Sequence, residues 1–166
     1  MIRTSLPISL GQSTFGALMG LYTENYRLIQ RLLPAAPIRE GRYISSVDDG
    51  LDLCLDVLAM HNYTVELRLS YSLTDPVTGM PDPSAYLRVY RDSLQAEATH
   101  CYVGRRWQDV LGVRPSGEEI IRHRLRMNNF LSKWLDYLDG LGHHCGSVKF
   151  VGAVQSAATN KTAATA

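Results

Sequence analysis

The stretch LDLCLDVLA, residues 51–59, places an apolar residue at every second position, and TVELRLSYSL, residues 64–73, does the same a few positions later. Successive side chains of a strand point to opposite faces, so a period of two commits both stretches to strands with one apolar face each. The apolar sets are Leu51, Leu53, Leu55, Val57 and Ala59, then Val65, Leu67, Leu69, Tyr71 and Leu73. Parity then selects the register. A two-residue loop at His61-Asn62 sets Leu55 against Arg68 and mixes the faces. A three-residue loop, His61-Asn62-Tyr63, pairs Leu55 with Leu69 and Asp56 with Arg68, with Asn62 taking the positive φ of the turn.

The same reasoning applies to AYLRVYRDSLQAEAT, residues 85–99. An even loop around Asp92-Ser93 sets Arg88 opposite Glu97, Tyr90 opposite Gln95 and Tyr86 opposite Thr99, and gathers Leu87, Val89, Leu94, Ala96 and Ala98 on the other side. RYISSV (42–47) precedes these hairpins as a first strand, with DDG (48–50) as a turn, and KFVGAVQ (149–155) is a short strand near the end. Between the hairpins, TDPVTGMPDPS (74–84) has the Pro, Gly and Asp content of a surface loop.

Helical spacing brackets the strands. Phe15, Leu18, Met19, Tyr22, Tyr26, Ile29, Leu32 and Leu33 form one stripe, capped by Ser13 or Thr14 and ended by Pro34 and Pro37. A second helix starts at Ser116, where Ser116 and Glu119 have capping-box spacing, and stops at Gly140. Its inner stripe is Ile121, Leu125, Asn128, Leu131, Trp134, Leu135 and Leu138. The expected fold is α+β: an antiparallel sheet of about five strands with two long helices, N-terminal and C-terminal, packed on one face. The domain is expected over residues 13–152, with an N-terminal extension (1–12) and a flexible tail of small polar residues (153–166).

Bulk properties narrow the function classes. A chain of 166 residues holds one substantial core, and a formal charge of +1 excludes a uniformly basic protein that coats nucleic acid or anionic membrane. Cys54, Cys101 and Cys145 are odd in number and lack CxxC spacing, which fits reduced thiols in a cytoplasmic protein. Gln12, Ser13 and Thr14 interrupt the apolar residues that follow Arg3, so a signal peptide is not expected, and no run reaches the ~18 apolar residues of a membrane span.

Three stretches, ENYRLIQRLLP (24–34), LRVYRDSLQAEA (87–98) and RMNNFLSKWLDYL (126–138), occur in an order and spacing that resembles the YqiB-like family of uncharacterised bacterial proteins (domain of unknown function 1249). The resemblance spans roughly residues 20 to 142 and implies a small cytoplasmic protein without a defined activity, so it carries no catalytic residue to this chain. The chain departs from the family pattern in its terminal segments and in a longer 74–84 loop.

Two clusters are candidate sites. The first is the polar sheet face with Asp56, Arg68, Tyr86, Arg88, Tyr90 and Glu97, beside Leu58 and Met60. Its plain interpretation is a solvated face laced with cross-strand ion pairs; its functional one is a partner surface, where aromatic and Arg side chains concentrate binding energy. The second is Arg105, Arg106, Trp107, Arg122 and Arg126, a guanidinium cluster suited to an anionic nucleotide, against which stands simple solvation of a linker and an outer helix face. HHC (143–145) lacks a second, spaced ligand pair for zinc, and His100 and Cys101, adjacent on a strand, point apart. No metal, cofactor or catalytic residue is expected. The expected function is non-catalytic binding of a protein partner or of a second copy through the open sheet face. The alternatives are a small-ligand protein, sensor or enzyme, that holds an anionic nucleotide, and a secretion-chaperone-like dimer.

Overall fold

A proline and two caps set the ends of the long helices. In the computed structural model, which describes residues 10–74, 76, 77, 79, 83–101 and 114–154, helix α1 spans Leu10–Leu32 and stops just ahead of Leu33-Pro34, a step that disfavours helical backbone. The Cys145 amide donates to Arg31 O at 2.7 Å and so satisfies one of its last carbonyls. Ser13 and Thr14 lie inside the first turns and not at the cap, because Leu10, Gly11 and Gln12 contain no proline and the helical run extends upstream through them. Helix α2 spans Gly117–Gly140, with Ser116 as N-cap and a complete capping box to Glu119, as the spacing requires. The left-handed residue that ends it is Gly142 (φ 95°), two positions beyond Gly140; the amides of His143 and Gly142 donate to Leu138 O and Asp139 O in a Schellman arrangement.

The strands are β1 (Gly41–Ser45), β2 (Leu53–Met60), β3 (Thr64–Tyr71), β4 (Ser84–Tyr90), β5 (Gln95–Cys101) and β6 (Val148–Gly152). They form one antiparallel sheet in the order β5-β4-β3-β2-β1-β6. The sheet has six strands where about five were expected, since the chain returns after α2 to lay β6 beside β1. Gly41 (φ 141°) makes this possible: a Cβ there would stand 2.5 Å from Phe150 Cε2 and 2.6 Å from Gly152 O.

The parity argument succeeds at Leu55–Leu69 and Asp56–Arg68, both of which pair as required. The odd residue is housed differently, however. The His61 amide donates to Thr64 O at 2.8 Å, closing the turn over Asn62 and Tyr63, and a bulge between Val57 and Ala59 restores the register. Asn62 does not take positive φ; among described non-glycine residues that conformation falls to Asp49 and Leu94. The β4–β5 hairpin pairs Arg88 with Glu97 and Tyr90 with Gln95 as expected, but a bulge shifts Tyr86 onto His100 in place of Thr99. Leu94 (φ 54°) sits exposed in the turn and not on the apolar face, and Leu51 and Leu73 are likewise exposed beyond the strand ends.

Both helices bury their stripes on the same face of the sheet. Leu28, Ile29 and Leu32 of α1 and Met127, Leu131, Trp134, Leu135 and Leu138 of α2 join Leu53, Leu55, Val57, Leu67, Leu69, Leu87 and Val89 in a single core. In α2 the stripe begins with His123 and Met127; Ile121 and Leu125, expected in it, are half-buried. Phe15 is exposed, so the α1 stripe starts at Leu18. No helix among the described residues is long and apolar enough to cross a membrane.

Candidate binding face

The even-numbered residues of β3 and β4, with Cys54 and Asp56 of β2, face away from both described helices; past the bulge at Leu58 the faces of β2 swap, so Ala59 pairs with Glu66 while Met60, expected beside the polar face, pairs with Val65 and packs on the core, and two of the cross-strand rows carry the charges. The first row runs Arg42, Asp56, Arg68, Tyr86, His100 across five strands. Asp56 is fully buried and takes both neighbouring guanidiniums: Arg42 Nε donates to Oδ1 at 2.7 Å, Arg42 Nη2 to Oδ2 at 3.0 Å, and Arg68 Nε to Oδ2 at 3.0 Å. Burial alone raises a carboxyl pKa, but the hydrogen bonds from Arg42 and Arg68 outweigh it and hold Asp56 below its usual range. Tyr86 stands beside Arg68 and packs its ring against His100 with centroids 5.6 Å apart.

The second row runs Glu66, Arg88, Glu97. Arg88 and Glu97 face each other in register, yet they do not form the ion pair. Arg88 Nη2 donates to Glu66 Oε1 at 3.0 Å, while Glu97, on edge strand β5, is reached from α2 by Arg124 Nη1 at 2.9 Å. Tyr90 donates its hydroxyl proton to Glu97 Oε1 at 2.7 Å. Arg124 also approaches the Tyr22 hydroxyl at 3.4 Å, and burial pushes that phenol up to about 12, with Arg124 opposing the shift. Glu97 is therefore the clasp between the polar face and the helix layer.

A second polar node lies beside this clasp. Asn128, fully buried, accepts at Oδ1 from the Ala98 amide (2.8 Å) and from Asn25 Nδ2 (3.2 Å), and its own Nδ2 donates to Arg124 O at 2.9 Å. Ala98 is on an edge strand, and Asn128 occupies one of the backbone donors an edge leaves open. The three motif stretches meet here: the first supplies Asn25, the second Glu97 and Ala98, the third Asn128. Sequence reasoning placed Asn128 in an apolar stripe, passed over Tyr22, Asn25 and Arg42 as functional residues, and counted Arg124 with the basic cluster of the last helix, whereas it pairs with Glu97. The visible signal was a pair of asparagines at core positions of two helices, since a buried amide needs partners.

Of the anion cluster, Arg105, Arg106 and Trp107 lie outside the described residues. Arg122 is exposed and bonds Glu118 one turn away, and Arg126 is exposed. His143 is buried against Ser45 (Nδ1 to Oγ, 2.8 Å) and His144 is exposed, so the adjacent imidazoles of HHC are drawn apart.

All six residues of the sheet-face candidate thus lie on one face; Asp56 and Arg88 find their charged partners within it, and Glu97 takes Arg124 from α2. A carboxylate gripped by two guanidiniums is held ionised and occupied, which suits a rigid recognition surface better than proton transfer.

Comparison with curated proteins and with solved structures gives no match. Comparison with family models matches residues 28–144 to "Protein of unknown function (DUF1249)". That match covers more than half the chain, from the last five residues of α1 through all of α2, and includes both polar rows and, of the second node, Ala98 and Asn128 but not Asn25. The chain belongs to the DUF1249 family.

Proposed function

We propose that this chain is a non-catalytic binding protein that receives a protein partner on the polar face of its sheet, the face turned away from both described helices. The observation that supports this reading is the placement of Tyr86, Arg88 and Tyr90, half-buried side chains fixed by cross-strand neighbours, among charges that already have partners. Tyr offers large contact area with few rotors to freeze and Arg offers a planar fork of donors that also stacks, and pre-ordering both lowers the entropic cost of association.

The test is site-specific crosslinking in the native host from a photoreactive residue at position 86. A discrete adduct is expected, lost in Arg88→Glu and restored by combining Arg88→Glu with Glu66→Arg, while Arg27→Glu on the outer side of α1 leaves it unchanged. Crosslinks that do not respond to Arg88→Glu sink the reading. Light scattering separates the two classes of partner: a concentration-dependent dimer identifies the partner as a second copy, and a strict monomer assigns the face to another protein.

A further inference from the structure

The polar face of the sheet holds more positive charge than its ion pairs consume. Every charged residue of the described strands lies on it: Arg42, Arg68, Arg88 and Lys149 against Asp56, Glu66 and Glu97. Lys149 belongs there because it pairs with Ile44, which pairs in turn with the outward-facing Cys54. Arg124 arrives from α2 as a fifth cation. Five cations to three carboxylates leave a surplus of two on a chain whose formal charge is +1, so the remainder of the chain is net negative. The surplus has a definite address. Glu66 and Glu97 take one guanidinium each, from Arg88 and Arg124, and that row is balanced. Asp56 serves both Arg42 and Arg68, and among the described residues neither has a second carboxylate within ion-pair distance.

Burial gives this surplus its force. The Arg42 and Arg68 side chains are 31% and 14% exposed, so the uncompensated charge of the triad is partly withdrawn from water and attracts an anion more strongly than a fully solvated arginine does. Asp56 grips both guanidiniums through Nε and Nη2, which sets their planes before any partner arrives. A surplus of one charge at the triad is neutralised by a single carboxylate, whereas a phosphate with about two charges would leave it negative. A second copy of this chain is a poor match, because an isologous contact through this face sets one positive surplus against another.

Resting on the sheet-face reading, we infer that the partner is a different protein that brings an acidic segment to this face, with one carboxylate on the Arg42–Arg68 pair beside Tyr86 and further acidic side chains towards Lys149. Asp56 does not touch the partner; it positions the two guanidiniums that do.

The experiment measures fluorescence anisotropy of a labelled hexaglutamate peptide titrated with the full chain, with hexaglutamine as the uncharged control. Wild type is compared with Arg42→Gln, Arg42→Lys, Lys149→Glu and Lys133→Gln. Lys149 and Lys133 are exposed, so their variants are expected to keep the wild-type Tm, and Lys149→Glu carries the test should Arg42→Gln lose stability. Hexaglutamate should bind saturably below about 1 mM, and weaken as NaCl rises from about 0.05 M to about 0.5 M. Arg42→Gln and Lys149→Glu should each weaken it about fivefold, the upper range for one partly exposed ion pair. Arg42→Lys should regain most of the loss, and Lys133→Gln on α2 should change nothing. In host extract the adduct from position 86 should fall in Arg42→Gln and Lys149→Glu, and with excess hexaglutamate but not hexaglutamine. The inference is overturned by no saturable hexaglutamate binding up to about 1 mM, or by binding that ignores both substitutions. An Arg88-dependent adduct that ignores them, or that joins two copies of this chain, overturns the acidic partner and leaves the sheet-face reading standing. Absence of any Arg88-dependent adduct overturns that reading, and this inference with it.

Discussion

Replacing Asp56 by alanine tests the central electrostatic feature of the sheet. The carboxylate is 0% exposed and holds two guanidinium side chains that are 31% (Arg42) and 14% (Arg68) exposed. Removing one partner of a buried ion pair costs about 3–5 kcal/mol, because the remaining charge stays desolvated. Here two cations would be left, close to each other, but each has a route to water, so the loss should sit near the lower bound, about 3 kcal/mol. Arg68→Ala should cost about 2 kcal/mol because Arg42 still neutralises Asp56, and the more exposed Arg42→Ala about 1 kcal/mol. With a urea m-value of about 2 kcal/mol/M, Asp56→Ala moves the unfolding midpoint down by about 1.5 M at unchanged m. Far-UV circular dichroism and Trp fluorescence, recorded in parallel, give the midpoint and check that the transition is concerted. The pH dependence supplies an internal control. The folded carboxyl titrates below its unfolded value of about 3.9, so its contribution is complete above about pH 5 and is lost as pH falls through the folded pKa. The gap between wild type and Asp56→Asn should therefore be flat near neutrality and close in acid. A cost under about 0.5 kcal/mol for Asp56→Ala, or a gap that persists in acid, would refute the argument.

Three further predictions follow from other parts of the fold. Asn128→Leu leaves the Ala98 amide and Asn25 Nδ2 without their shared acceptor, and should cost roughly 2–4 kcal/mol and speed hydrogen exchange at Ala98; an unchanged Tm would remove the node from the stability account. His143 offers a pH test. Its Nδ1 meets Ser45, its Nε2 is buried without a partner among the described residues, and burial depresses its pKa, so stability is complete above the unfolded value of about 6.5 and is lost as pH falls towards the folded one. His143→Asn should flatten that loss, by at most about 1.4 kcal/mol per pH unit, and parallel wild-type and variant profiles would show that His143 is not its source. Leu94→Gly relieves a left-handed φ at an exposed turn and should raise stability by about 0.5–1 kcal/mol in a denaturation midpoint; a loss would mean that the side chain contributes contacts worth more than the strain.

The hairpins, their registers and the α2 cap were legible in the sequence because each depends on near neighbours. A period of two assigns faces, so Asp56 and Arg68 had to meet if Leu55 and Leu69 shared the core, and Ser116 and Glu119 complete their box within one turn. Parity could not say where an odd residue would go. The chain placed it in a bulge at Leu58 and another at Thr99, and the second moved Tyr86 onto His100. Nor could spacing identify partners that come from another layer. Arg88 and Glu97 are opposed in register, yet Glu97 belongs to Arg124, because β5 is an edge strand and α2 lies close enough to reach around it. Local periodicity by itself determined which residues face which way. The docking of the helices decided which charges are partnered across layers, as Glu97 is by Arg124, because it requires the positions of groups far apart in the chain.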